Sequence, residues 1–216
     1  MEKRRKLILA FIINAAIVVL ELVALALSLM EHGLGNFAFY TQDSNYLAAA
    51  ASLLYCVYAV KSLRGSDEMP QWVGTLRYIS VSCLMVTLFV VLLVLMPMSG
   101  ENALFMLYGG SMLYQHTICP ILAAVSFFAL EGWEPFPKRA IVKALIPTLA
   151  YALVAVILNV LRVIEGPYPF LMVYAQPWYM SVLWCVVILG IAAILALGVR
   201  SLYNFITKSK HKERAK

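Results

Sequence analysis

The sequence predicts an all-α fold: a polytopic membrane protein with six transmembrane helices in one bundle and both termini cytoplasmic. Three observations carry this expectation. The 216 residues are 63% hydrophobic and only 13% charged, where a soluble domain runs about 45–50% apolar and about 25% charged. Long apolar stretches follow one another, each near the ~20 residues that cross a bilayer. Basic residues alternate between successive loops. The same composition excludes a disordered chain, which would lack this much apolar surface. The formal +6 charge sits at the ends and in alternate loops. It forms no basic stripe, so nucleic acid is excluded as a partner.

The spans fall at about residues 7–30, 41–60, 72–98, 110–130, 140–164 and 178–203, forming one domain over residues 1–216. The first follows a basic N-terminus but is longer than the roughly 7–15 apolar residues of a signal peptide. It carries no small-residue cleavage site and reads as a retained helix. Residues 103–114 are apolar but contain Gly109-Gly110, which suits a short interfacial or re-entrant piece before span four. The fifth loop holds Gly166-Pro167-Tyr168-Pro169-Phe170, with aromatic rings suited to a membrane–water interface. No internal repeat of the inverted-transporter kind is visible.

Charge orients the spans. Lys3, Arg4, Arg5 and Lys6 precede the first. Lys61, Arg64 and Arg77 flank the second loop, and Lys138, Arg139 and Lys143 flank the fourth. Arg200, Lys208, Lys210, Lys212, Arg214 and Lys216 close the chain. Loops one and three have no Lys or Arg, and the fifth has none beyond Ile164. The positive-inside rule then puts both termini in the cytoplasm.

Polar groups inside hydrocarbon are costly and raise functional hypotheses. Thr41, Gln42, Asp43, Ser44 and Asn45 open span two on the external side. At 1.5 Å per residue, His116 lies about 9 Å below that surface and Glu21 about 13 Å below it. Asn159 and Arg162 fall in the last turns of span five, and the cytoplasmic halves look much less polar, with Asn14 and Thr148. Helical spacing puts Thr41, Ser44, Asn45, Ala48, Ser52 and Tyr55 on one face of span two. It does the same for Asn14, Glu21 and Ser28 on span one, and for Ala152, Ala155, Asn159 and Arg162 on span five. Such faces should point into the bundle. Pro120 removes a hydrogen bond to the His116 carbonyl, so a helix distortion is expected beside the imidazole.

Bland readings stand beside these. Polar residues in membrane helices often only join helices. Glu21 and Arg162 suit a structural ion pair, and Asp43 or Ser44 suits a helix cap. Cys56, Cys83, Cys119 and Cys185 lie in apolar segments without C-x-x-C spacing. They read as small hydrophobes, with no disulfide framework and no metal site.

A hydroxyl with an imidazole is the minimal nucleophile–base pair for acyl transfer. Thr41, Ser44 and Thr117 are the hydroxyl candidates for His116. Gln42, Asn45, Gln115 or free amides at the start of span two would supply an oxyanion site. Asp43 or Glu21 would orient the ring, and the planar fork of Arg162 suits a substrate carboxylate. No metal or organic cofactor is implied.

Three stretches carry a resemblance to a known family. They are Phe37-Ala38-Phe39-Tyr40-Thr41-Gln42-Asp43-Ser44-Asn45, Tyr114-Gln115-His116-Thr117-Ile118-Cys119-Pro120-Ile121-Leu122, and Gly166-Pro167-Tyr168-Pro169-Phe170. In content and order the chain resembles the androgen-inducible transmembrane proteins and their bacterial six-span relatives. The resemblance implies intramembrane hydrolysis of fatty-acid esters of hydroxy fatty acids, with the threonine on Thr41 and the histidine on His116. The Gln-Asp-Ser-Asn after Thr41 is closer to the bacterial branch, which implies a bacterial cytoplasmic membrane. Two other functions remain open on the residues alone. One is a lipid acyltransferase with its acyl group on Cys119. The other is a transporter or lipid-binding protein with a relay through Glu21, His116 and Arg162.

Overall fold

The six apolar stretches form six helices long and apolar enough to cross a membrane, in a computed structural model that describes residues 2–65 and 68–214. Side chains are described as far as residue 209, so those of Lys210, Lys212, Arg214 and Lys216 lie outside the described residues. The chain is an integral membrane protein, all-helical among the described residues. Helix α1 is Glu2–His32, and a 3-10 turn, Gly33–Ala38, leads to α2, Tyr40–Leu63. Helix α3 follows Pro70 and runs Gln71–Met98, with a π turn at Val91–Leu95 just before Pro97. Helices α4, Leu113–Leu130, α5, Arg139–Val160, and α6, Trp178–Arg214, complete the set.

The ends depart from the expected spans for local reasons. Helix α1 takes in the basic run, since Lys and Arg are good helix formers with long apolar stems and Lys6 pairs with Glu2 one turn earlier. Helix α4 starts at Leu113 because Gly110 takes φ +49°, a glycine-favouring conformation. The ambiguous stretch before it contains one helical turn, Phe105–Tyr108. Helix α5 stops at Val160, and Arg162 beyond it sits at φ 59°. The distortion expected before Pro120 is a π turn over Leu113–Ile118, with α-geometry resuming at Cys119.

Helix α3 is central and packs on α2, α4, α5 and α6, while α1 lies against α2 and α4. The polar faces of α1 and α2 point inward as expected: Asn14, Glu21 and Ser28 are buried, as are Thr41, Ser44, Asn45 and Ser52. Burying these faces leaves Leu, Val and Ile on the outside, with Leu22, Leu93 and Ile194 all exposed.

The expectation that the basic half of the bundle is poor in polar groups is wrong. Arg77, read as a cation flanking a loop, is fully buried with Glu131, Nη2 to Oε1 2.9 Å. Arg77 Nη1 also donates to Ser52 at 2.9 Å, and Glu131 accepts from Ser126 at 2.8 Å and from the Trp133 indole at 2.9 Å. Asn14 donates to Ser126 at 2.8 Å. The cause is the segment after α4, which turns back over the bundle and carries Trp133 and Phe136 into it. The Tyr203 hydroxyl holds this segment by accepting from the Trp133 amide at 2.6 Å. At Gly74 a Cβ would meet the Trp133 ring at 2.5 Å, so only glycine lets the indole lie there.

Candidate active site

The first turn of α2 and the π turn of α4 meet at the end of the bundle opposite the basic run. Thr41 Oγ1 lies 3.3 Å from His116 Nε2, and both side chains are buried. His116 Nδ1 lies 2.7 Å from the Met106 carbonyl. A carbonyl only accepts, so Nδ1 carries the proton and the neutral ring presents a lone pair at Nε2. The Thr41 hydroxyl is thus the donor to Nε2. The contact is slightly long, as is common in unliganded sites. The Thr117 hydroxyl donates to the adjacent Leu107 carbonyl at 2.8 Å. The turn Phe105–Tyr108 therefore holds the imidazole through one carbonyl and the next residue, Thr117, through the following one.

The neighbouring amides are joined to each other. Gln42 Nε2 donates to Gln115 Oε1 at 2.8 Å and to Ser28 Oγ at 2.9 Å, and Gln115 Nε2 returns a bond to Gln42 Oε1 at 2.6 Å. Asn45 Nδ2 donates to the Thr41 carbonyl at 2.7 Å and to the Gln115 carbonyl at 3.3 Å. This clamp ties the residue before His116 to Thr41 itself, across two helices. The expected oxyanion role does not fit Gln42 or Asn45, in each of which both N–H groups have partners. Nor does it fit Gln115, which is tied to Gln42 through one N–H and its oxygen and lines neither cavity near Thr41.

Several other expectations are corrected. Neither Asp43 nor Glu21 orients the ring, since the Met106 carbonyl does. Asp43 is exposed, and Ser44 bonds Thr87 at 2.7 Å instead of capping α2, whose N-cap is Phe39 without a side-chain bond. Arg162 is exposed and lies over the Tyr174 ring, 4.5 Å from its centroid, so it neither pairs with Glu21 nor faces the site. Asn159 fastens the fifth loop, donating to the Ile164 carbonyl and accepting from the Val173 amide, each at 2.9 Å. Glu21 is buried beside the Cys119 thiol, and apart from that weak donor neither carboxyl oxygen has a hydrogen-bond partner. Cys119 has no exposure and lines neither cavity near Thr41. Among the described residues no three His, Cys, Asp or Glu side chains gather as a metal site would require.

One site residue escaped the reading of side-chain chemistry. Tyr168, from the proline-flanked run of loop five, puts its hydroxyl 3.5 Å from Thr41 Oγ1, and the Thr41 amide donates to it at 3.3 Å. Its ring stacks on Phe170, centroids 5.1 Å apart, and meets Phe39 edge-on at 5.8 Å. Burial pushes the phenol above its ordinary range, so it keeps its proton. The signal in the sequence was the run itself, an aromatic ring between Pro167 and Pro169 in loop five.

No family model, curated protein or solved structure matches this chain. The surroundings of Thr41 therefore supply the remaining information. An apolar cavity of about 40 Å³ is lined by Thr41, Tyr168, Val90, Leu95, Trp184 and Ile188 among others. Its almost wholly apolar lining suits hydrocarbon better than water. On the far side of Tyr40 and Tyr151, which line both spaces, a groove of about 550 Å³ opens between α2 and α5. The two rings meet edge-on at 5.2 Å and are held by bonds to Thr148 and to the Ala38 carbonyl, each 2.8 Å.

Proposed function

We propose that this chain is an intramembrane hydrolase of lipid acyl esters, of the fatty-acid ester of hydroxy fatty acid kind, with Thr41 as nucleophile and His116 as base. The observation that carries the reading is the Thr41–His116 pair, in which the ring tautomer leaves Nε2 free to take the hydroxyl proton. In the first step the Thr41 oxygen bonds to the ester carbonyl carbon while its proton passes to Nε2. The intermediate collapses, the ester C–O bond breaks, and Nε2 gives that proton to the departing hydroxy acid. Water, deprotonated by the same nitrogen, then attacks the acyl-threonine, and the fatty acid leaves with Thr41 restored. No cofactor is needed.

The same reading assigns the chain to the androgen-inducible transmembrane family and its bacterial branch, in a bacterial cytoplasmic membrane. Both termini then face the cytoplasm and the site faces the external leaflet, in keeping with the basic residues at the opposite end. The substrate is a membrane lipid or fatty-acid ester that arrives sideways along the groove between α2 and α5. Its chain reaches Thr41 once Tyr40 and Tyr151 part.

The test is fluorophosphonate labelling of the purified protein with Thr41→Ala and His116→Ala beside it. Labelling of wild type and its loss in both variants are expected. Equal labelling of wild type and Thr41→Ala would remove Thr41 as nucleophile.

A further inference from the structure

We infer that the Tyr168 hydroxyl is the oxyanion donor of this site. The inference rests on the hydrolase reading and gives that reaction a catalytic group it otherwise lacks. Attack by Thr41 turns the ester carbonyl oxygen into an anion one carbon away from Oγ1. Donors stabilise such an anion when they lie about 2.7–3.1 Å from where it forms. The side-chain amides nearest Thr41 are engaged elsewhere: both N–H groups of Gln42 and of Asn45 have partners, and Gln115 is tied to Gln42 and lines neither cavity beside Thr41. The Thr41 amide donates to Tyr168.

Tyr168 remains. Its oxygen accepts from the Thr41 amide, so its own proton points away from that bond, toward Oγ1 or the cavity that Thr41 and Tyr168 both line. At 3.5 Å the contact with Oγ1 is weak in the resting site. An oxygen bonded to the attacked carbon can come closer to the phenol than Oγ1 does. The accepted amide bond also polarises the phenol O–H and strengthens it as a donor.

The donor is held in place before substrate arrives. Pro167 and Pro169 restrict the backbone on both sides of Tyr168. The Leu171 amide closes the turn on the Tyr168 carbonyl at 2.8 Å. Gly166 takes φ +92°, and a Cβ there would meet the Leu171 carbonyl oxygen at 2.9 Å, so the turn needs glycine. The ring is fixed between Phe170 and Phe39. A donor fixed this way needs little reorganisation during reaction.

The experiment compares wild type, Tyr168→Phe and a 3,5-difluorotyrosine replacement at the same position, in detergent or vesicles, with a fluorogenic long-chain acyl ester. Phenylalanine keeps the ring contacts and removes the phenol O–H, together with the oxygen that accepts from the Thr41 amide; difluorotyrosine keeps that acceptor. Loss of one oxyanion donor lowers kcat by about 100- to 1,000-fold, with KM and Tm close to wild type. Difluorotyrosine is more acidic, and a phenolate cannot donate, so the alkaline fall in kcat should move to lower pH. A merely structural tyrosine would not move that limb. Wild-type kcat in Tyr168→Phe overturns this inference and leaves the hydrolase reading intact. An unmoved alkaline limb also overturns it, even if Tyr168→Phe loses activity together with stability. Absence of ester turnover in wild type overturns the hydrolase reading and this inference with it.

Discussion

Arg77 Nη2 lies 2.9 Å from Glu131 Oε1 with neither side chain exposed at all, in the half of the bundle that holds the basic N-terminal run. Two charges taken out of water are stable only if paired and fully hydrogen-bonded. Here the carboxylate also accepts from Ser126 and Trp133, and the guanidinium also donates to Ser52. Arg77→Met should therefore destabilise the protein by about 3–5 kcal/mol, because an uncompensated carboxylate is left behind. Arg77→Met with Glu131→Gln should recover part of that loss. Thermal unfolding in detergent measures both. A double variant no better than the single one would show that the pair is not coupled.

This pair also shows where the sequence stops being legible. Thr41 and His116 could both be placed toward the external side, because depth follows from counting residues at a fixed rise, while the choice of Thr41 over Ser44 and Thr117 came from the resemblance. The burial of Arg77 depends instead on how residues 131–138 fold over the end of the bundle, and no periodicity encodes that. Arg162 was misplaced because α5 stops at Val160, four residues before the apolar pattern ends and two before Arg162. Asn45 sat on the correct face, but its bonds to two backbone carbonyls depend on the α2–α4 contact. Tyr168 was visible as a pattern between prolines, without any rule to connect loop five with the start of α2.

Asn45 is the link between the two halves of the dyad. Its amide holds the Thr41 carbonyl and the Gln115 carbonyl together. Asn45→Ala should leave both residues in place chemically but loosen their alignment. A misplacement near 1 Å costs about 100-fold in rate, so labelling of Thr41 by a fluorophosphonate should slow by up to about that factor. Gln115→Ala should slow it less, since the carbonyl that Asn45 holds belongs to the backbone. Labelling at the wild-type rate in Asn45→Ala would mean that packing alone aligns the pair.

Arg162 offers a control outside the site. Its left-handed backbone favours glycine, and its guanidinium lies over Tyr174. Arg162→Gly relieves strain of about 1–2 kcal/mol and forfeits a cation–π contact of about 0.5–1 kcal/mol. The net change in unfolding free energy should be small and no worse than neutral. Ester turnover should stay at the wild-type level. A marked rise in KM would return Arg162 to the role of holding a substrate carboxylate.

Glu21 separates a structural role from a functional one. It is buried on the same face of α1 as Asn14 and Ser28, and those two residues are hydrogen-bonded. Glu21 is not, apart from the weak thiol of Cys119 beside it. An unsatisfied buried polar group costs about 1–3 kcal/mol, while an apolar side chain of similar length keeps the packing without that cost. Glu21→Met should therefore raise stability by an amount in that range, and Glu21→Gln should not. Thermal unfolding of the three proteins in one detergent decides it. A lower Tm for Glu21→Met would mean that the carboxyl has a partner in the folded protein, such as an internal water or a bound cation. Repeating the unfolding across a series of monovalent salts would then identify a cation, because a ligand bound only to the folded state raises Tm with its concentration.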